Sequence, residues 1–139
     1  MKPVVVDASV AAKWFLPEAG SRAAGRLLSA RYRLLAPDLI HAEFGNILWK
    51  AARRGLLAPD EAAGIAEQFL ATPVETCSTE ALLPAALEIA LDAAVTVYDG
   101  LYVALAIQEG ATCITADERL VRALAPTPFR RHVRLLGQR

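Results

Sequence analysis

The sequence of this 139-residue chain predicts an α/β fold, in which helices flank both faces of a central, mostly parallel sheet of four to five short strands. Short apolar runs rich in β-branched residues alternate with longer segments of helical periodicity. The first run, Pro3–Val6, is continuously apolar, as expected for a central parallel strand covered on both faces. At this length we expect one domain over residues 1–139.

The first half of the chain predicts alternating strands and helices whose boundaries are marked by proline and glycine. Pro17 stops the first helix, Gly55 closes the third, and Pro59 opens the fourth. In chain order the predicted elements are strand 3–6, helices 8–15 and 18–30, strand 34–36, helices 38–54 and 59–70, and strand 74–77.

The second half is organised around a helix, Thr96–Ile107, that is apolar nearly all round and is therefore expected to be buried. Gly110 ends this helix, and a short buried strand, Cys113–Thr115, follows. The preceding helix is capped by Ser78 or Thr79 and reaches residue 91, although Pro84 is expected to delay its start. The last predicted elements are helix 118–124, a turn at residues 126–128, and strand 132–136.

Composition limits the possible classes of protein. The hydrophobic share of 55% and the mean hydropathy of +0.32 are high, but no apolar run approaches the roughly 20 residues that span a bilayer. We therefore expect a soluble, cytoplasmic protein with no membrane association, part of whose apolar surface is covered by a partner or a second copy. Fifteen basic and fifteen acidic residues leave no net charge to indicate nucleic-acid binding. Cys77 and Cys113 lack metal-ligand spacing and are expected to be reduced core thiols.

Four acidic residues are predicted to meet at one end of the sheet. Asp7 follows the first strand, Asp117 follows the strand Cys113–Thr115, and Asp99 begins the apolar helix. Glu43 interrupts the apolar stripe of helix 38–54. Ligands of open parallel sheets bind beyond the carboxyl ends of the strands, which is where these side chains are expected to lie.

Each acid also has a structural explanation. Asp7 and Asp117 are suitable helix N-caps, and Asp99 is suitably placed to interact with the helix dipole beneath a Thr96 cap. Glu43 has no capping role in mid-helix, but could be a buried salt-bridge partner. These roles do not explain why all four acids fall at one end of one sheet.

Clustered carboxylates repel one another, and some stay protonated unless a cation binds them. Oxygen ligands without a nearby His or Cys cluster suit Mg²⁺ or Mn²⁺ and not zinc. Such a cation on a few carboxylates is the usual arrangement for attack on a phosphodiester. Ser9 and Thr115 lie two residues from Asp7 and Asp117, close enough to orient these carboxylates.

Four blocks of the sequence resemble the motifs of PIN-domain ribonucleases, and most closely those of the VapC toxins of bacterial toxin–antitoxin pairs. They appear in the same order and at typical spacing, over a likeness that extends from residue 4 to residue 136. The blocks are Val5–Ser9, Glu43 with Asn46, Val97–Ala106 and Ile114–Leu120.

The resemblance implies a metal-dependent endoribonuclease. By this likeness an acidic quartet binds Mg²⁺ or Mn²⁺, two hydroxyl residues support it, and an amide residue lies in its pocket. The quartet is Asp7, Glu43, Asp99 and Asp117; the supporting residues are Ser9 and Thr115, and the amide is Asn46. Gly100 stands where alanine is more usual and is expected to loosen the start of its helix.

The resemblance also implies partners: an RNA substrate, a second copy of the chain in a homodimer, and an inhibitory VapB-like antitoxin. A basic rim would be needed to bind RNA. The candidates for it, which are equally well explained as ordinary solvated charges, are Lys13, Lys50, Arg119 and Arg122.

Other readings of the same sheet are less well supported. A phosphorelay receiver requires adjacent acids after the first strand and a lysine after a late strand, and neither is present. An Asp-nucleophile phosphatase requires an aspartate at position 9, where this chain has Ser9. Cleavage through the ribose 2′-hydroxyl would require an acid–base pair, but His41 and His132 are expected to be structural or surface residues. A non-catalytic interaction module on the same fold stays open as the alternative.

Overall fold

The computed structural model describes residues 1–138, and Arg139, the last residue of the expected domain, lies outside the described residues. Five parallel strands form one sheet in the order β3-β2-β1-β4-β5. The strands are β1 (Lys2–Val6), β2 (Tyr32–Pro37), β3 (Val74–Cys77), β4 (Thr112–Thr115) and β5 (Val133–Leu135). The predicted α/β class and parallel sheet are confirmed.

Seven α-helices and two short 3₁₀ helices connect the strands within the described residues. The α-helices are α1 (Ala8–Ala12), α2 (Ser21–Gly25), α3 (Ile40–Arg53), α4 (Pro59–Leu70), α5 (Thr79–Ala93), α6 (Val97–Gln108) and α7 (Glu118–Leu124). The 3₁₀ helices are Arg26–Leu28 and Pro128–His132.

The central position of β1 explains its apolar sequence. Val4 pairs with Leu34 of β2 on one side and with Thr112 of β4 on the other, so both edges of the strand are hydrogen-bonded. Val5 and Val6 have no exposed surface. The strand therefore ends inside the molecule, and the residue that follows it begins in a largely buried position.

The two predicted helices at residues 8–15 and 18–30 are too long. The first ends at Ala12, because the N–H groups of Lys13 and Trp14 bond to carbonyls three residues back, in 3₁₀ fashion. The second begins only at Ser21, since Gly20 takes a left-handed conformation with φ of +88°, and it continues from Arg26 as 3₁₀. Apolar spacing alone did not reveal these interruptions.

The expectation that Pro84 delays the start of its helix is wrong. Helix α5 begins at Thr79, and the Ser78 hydroxyl caps it by accepting a hydrogen bond of 3.1 Å from the N–H of Ala81. Pro84 lies within the helix. Smaller differences of one or two residues occur at the ends of α3, α5, α6, β1, β2, β4 and β5.

Helix α6 is the buried helix that its composition predicts. Thr96 caps it, accepting a 3.1 Å hydrogen bond from the N–H of Asp99, and residues 100–106 are all buried. No single helix in the described part of the chain is long and apolar enough to cross a membrane, although α5 and α6 together meet that test by length and composition and are bent by 114°.

Gly100 lies where α6 crosses α5 at close range. A Cβ atom added to it would overlap the backbone carbonyl oxygen of Ala86 and lie 3.2 Å from the carbonyl carbon. Glycine at this position therefore allows close contact between the two helices, a role different from the looser helix start that the sequence suggested.

We predict that Gly100→Ala lowers the free energy of unfolding. Overpacking against a backbone atom costs about 1–3 kcal/mol, which outweighs the roughly 1 kcal/mol of helix propensity that alanine adds. Urea denaturation measures the change. Gly45→Ala is the matched control, because Gly45 is exposed in α3 with no atom within 4 Å of an added Cβ, so this change should stabilise. Equal stabilisation by both changes would contradict the close-contact role.

Candidate active site

A pocket of about 290 Å³ lies where β1 and β4 end, between helices α1, α3, α6 and α7. The sequence analysis assigned seven residues to the site: four acids, two hydroxyl residues and one amide. Six of them line this pocket, and the seventh, Thr115, is buried behind it. The six are Asp7, Ser9, Glu43, Asn46, Asp99 and Asp117. The structure therefore brings the four acids together.

Asp7 is the most buried of these acids, and its carboxylate is fixed by three donors. It caps α1 by accepting a 3.0 Å hydrogen bond from the N–H of Val10, and it accepts a 2.6 Å bond from the Ser9 hydroxyl. The hydroxyl of Thr115, on the neighbouring strand β4, donates to the other oxygen. The capping role and the pocket position thus belong to the same carboxylate.

Burial raises the pKa of Asp7 above its ordinary value, because the charged form loses water. The hydrogen bonds from Ser9, Thr115 and Val10 oppose this rise, while the nearby charge of Asp117 adds to it. Asp7 is therefore a carboxylate whose charge the protein orients but only partly compensates.

Thr115 connects two acids of the pocket. It has no exposed surface, and its hydroxyl donates to Asp7 while accepting a 3.0 Å hydrogen bond from the N–H of Asp117. Asp117 in turn caps α7, accepting a 2.9 Å bond from the N–H of Arg119. The short link from β4 to α7 therefore fixes Asp117 relative to Asp7.

Glu43 is held by Tyr102, a residue that the sequence analysis did not single out. The hydroxyl of Tyr102 donates a 2.6 Å hydrogen bond to Glu43 Oε1, which joins α6 to α3. Tyr102 is 3% exposed, and burial raises the pKa of its phenol, so it remains a donor at neutral pH. One sequence signal existed, since Tyr102 lies one helical turn after Asp99 on the same inward stripe.

The pKa values of Glu43 and Asp99 are both raised, mainly by burial. The charges of Asp7 and Asp99 also raise the pKa of Glu43, against the lowering effect of the Tyr102 hydrogen bond. For Asp99, the Thr96 hydrogen bond and the charge of Arg119 lower the pKa, while the charges of Asp117 and Asp7 raise it. The acids therefore repel one another through the pocket.

The pocket chemistry suits a hard divalent cation. Its acidic groups offer only oxygen atoms, and Lys50 is the one Lys or Arg that lines the pocket among residues 1–138. In the described part of the chain, no three acidic, His or Cys side chains already stand in an arrangement that could ligate one ion. Donors from the protein hold the Asp7, Glu43 and Asp117 carboxylates instead.

The predicted basic rim is only partly correct. Lys50 lines the pocket, and Arg119 lies beside it with Nε 3.6 Å from Asp117 Oδ1. Lys13 instead bonds to Glu18 at 3.3 Å and to the carbonyl of Ala19 at 2.7 Å. Arg122 is exposed and does not line the pocket.

The other candidate residues lie outside the pocket. His41 packs edge-on against Phe69, and His132 Nδ1 lies 3.3 Å from the carbonyl of Ala111. Cys113 is buried and Cys77 is partly buried, and both are free thiols. None of these four residues contributes to the acidic pocket.

Comparison with known proteins identifies the family. The model of the PIN domain matches residues 4–124. Ribonuclease VapC3 of Pyrobaculum aerophilum is 43% identical over 121 residues, which cover 84% of this chain and 91% of that protein. The crystal structure of PAE2754, also from Pyrobaculum aerophilum, superposes with a TM-score of 0.67 at 24% identity, covering 88% of this chain and 79% of that one, and so supports the fold. The chain therefore belongs to the PIN-domain family, among its VapC-type ribonucleases.

Proposed function

We propose that this chain is a Mg²⁺- or Mn²⁺-dependent endoribonuclease and the toxin of a type II toxin–antitoxin pair. The main observation behind the proposal is that four carboxylates, distant along the chain, line one pocket together with a lysine. The similarity to a protein named as a VapC ribonuclease supports RNA as the substrate.

In this proposal Asp7, Asp99 and Asp117 hold the cation, and Glu43 completes the site. The raised pKa values of Asp7, Glu43 and Asp99, and the repulsion among the acids, favour a bound positive charge. A divalent ion bound there would activate water and neutralise the charge that develops on the phosphate.

The surrounding residues orient these acids and the substrate. Ser9 and Thr115 hold the Asp7 carboxylate in one rotamer, and Tyr102 holds Glu43. Lys50, at the pocket wall, attracts a phosphate, and Asn46 presents an amide one helical turn after Glu43. Because water is the nucleophile, the products carry a 5′-phosphate and a 3′-hydroxyl.

We predict that the purified protein cuts RNA with Mn²⁺ or Mg²⁺ and that EDTA stops the reaction. Asp7→Asn and Asp99→Asn should each lower the rate by about two orders of magnitude or more, since each removes charge that acts on the transition state. The rate is measured on a labelled RNA, with end-group analysis of the products.

Asp60→Asn is the control for charge removal alone, because Asp60 is exposed in the first turn of α4 and outside the pocket. Its rate should equal that of the wild type. No cleavage with either cation, or wild-type rates for both pocket variants, would exclude the nuclease and favour a non-catalytic interaction module.

In the metal-free protein, repulsion among the clustered acids should lower the free energy of unfolding. A carboxyl whose pKa is raised by folding contributes stability that is present below its unfolded value, about 3.9 for Asp, and that is lost as the pH rises through the folded value. For Asp99 the pKa is raised, so its ionisation destabilises the metal-free fold near neutral pH.

We therefore predict that, in EDTA, the stability of Asp99→Asn falls less than that of the wild type between pH 4 and 7. Thermal unfolding at several pH values measures the difference, with Asp60→Asn again as the control. Parallel stability curves for Asp99→Asn and wild type would show that the pocket exerts no such repulsion.

We also propose a homodimer, inhibited by a VapB-like antitoxin that places a basic side chain in the acidic pocket. Leu83, Leu87 and Leu91 support the dimer, because they follow one another every fourth residue along α5 and are 47%, 46% and 75% exposed. Such a stripe is suited to pack against its own copy.

Light scattering after gel filtration should give the mass of a dimer for the wild type and of a monomer for Leu87→Lys. Leu56→Lys, at a site 71% exposed but outside α5, should remain dimeric. A monomeric wild type, fully active beside the product of the neighbouring gene, would contradict both partner proposals.

A further inference from the structure

A second concave surface, which we call the basic cleft, lies on one face of the sheet beside α2. Its volume is about 640 Å³. Four cationic side chains and one aromatic ring contribute to its lining, and no acidic side chain of residues 1–138 lines it. These five are Lys2, Arg26, Arg31, Arg134 and Tyr32.

The sheet itself brings three of these residues to one face. Lys2 pairs with Tyr32 across β1 and β2, while Val6 pairs with Ile114 and Ile114 with Arg134 across β4 and β5. Because side chains alternate between the faces of a strand, Lys2, Tyr32 and Arg134 point to the same side as Val6. Arg26, from the 3₁₀ helix after α2, and Arg31, just before β2, border the cleft.

Within the described residues these cations are not neutralised by the protein. None of the four takes part in the ion pairs found among residues 1–138, which join Lys13 to Glu18, Arg33 to Glu75 and Arg119 to Asp117. The Nε atom of Arg134 is buried and has no hydrogen-bond acceptor among residues 1–138. A buried donor without a partner destabilises the protein alone, and four like charges that line one cleft favour a bound polyanion.

We propose that the basic cleft binds the phosphate backbone of single-stranded RNA at a distance from the bond that is cut. This inference rests on the proposed function, because it assigns a second contact surface to the same substrate. Lys2 begins β1 and Asp7 follows its end, so the far side of the cleft is about 17 Å from the acidic pocket at 3.3 Å per residue. An RNA chain that reaches both sites makes contacts over several nucleotides.

The side chains of the cleft favour RNA over an acidic protein. Three of its four cations are arginines, whose planar guanidinium groups bind phosphate through two parallel hydrogen bonds. Tyr32, among them, offers a ring on which an unpaired base can stack. A single-stranded RNA supplies phosphates for the arginines and bases for the tyrosine ring. The acidic groups of a peptide supply only carboxylates for the arginines.

The test is RNA binding in EDTA, where no cleavage can occur. The probe is a fluorescent single-stranded oligoribonucleotide of about 16 nucleotides, and its affinity is measured by anisotropy over a series of salt concentrations. The double variant Arg26→Gln/Arg31→Gln should bind more weakly, and its log–log salt slope should be less steep by about 1.4, or 0.7 for each lost phosphate contact. Both residues are exposed, so the fold is preserved.

Arg53→Gln/Arg54→Gln is the matched control, because it removes two adjacent exposed arginines at the end of α3, outside the cleft. Its salt slope should equal that of the wild type. Arg134→Gln should also weaken binding, and its thermal unfolding shows whether it folds. An unchanged slope for Arg26→Gln/Arg31→Gln, or an equal change in the control pair, overturns the proposal.

A second arm replaces the RNA with labelled polyglutamate. If the cleft variant loses polyglutamate but keeps RNA, the cleft is a protein-docking surface and the proposal is overturned. Since binding is measured without cleavage, the two hypotheses fail separately. If the wild type cuts RNA but Arg26→Gln/Arg31→Gln leaves the salt slope of RNA binding unchanged, only the cleft inference fails. If the wild type never cuts RNA but the variant changes the salt slope, only the nuclease assignment fails.

Discussion

The candidate site depends on the junction where β1 and β4 end side by side around the Asp7 carboxylate. Three donors fix this carboxylate: the Ser9 hydroxyl and the N–H of Val10 from α1, and the hydroxyl of Thr115 at the end of β4. Thr115 then passes the constraint to Asp117 through the backbone N–H. Because β1 is the central strand, any shift in its register with β4 would separate these groups and open the pocket.

The carboxylates that form the candidate site also lower the stability of the fold. Burial makes the charge of Asp7 costly, and the neighbouring acids raise the cost for Glu43 and Asp99. The protein compensates with oriented hydroxyl and N–H donors but not with a matching set of cations. Carboxylates that repel one another and hold their protons more tightly in this way are suited to bind a ligand of positive charge.

The strand ends made much of the site predictable from sequence. Asp7 and Asp117 closely follow apolar runs, Glu43 interrupts an apolar stripe, and Asp99 lies in the first turn of a helix that is apolar nearly all round. The hydrogen bond from Tyr102 to Glu43 was not predictable, because it depends on how α6 packs against α3. The predicted helix 18–30 was too long because apolar spacing does not show the backbone conformation of a single residue. Gly20 is left-handed, with φ of +88°, and the helix begins only after it. The basic cleft could not be recognised in the sequence, because Lys2 and Arg134 lie at opposite ends of the chain. They line one cleft only because β1, β4 and β5 pair in one sheet.

Crystals grown with Mn²⁺ can reveal whether the four acids surround a divalent cation. Anomalous scattering near the manganese absorption edge locates the ion without reference to the protein chemistry. We expect a peak within about 2.2 Å of carboxylate oxygens from Asp7 and Asp99. A well-ordered pocket with no manganese peak at saturating Mn²⁺, or a peak only elsewhere on the protein, would contradict it.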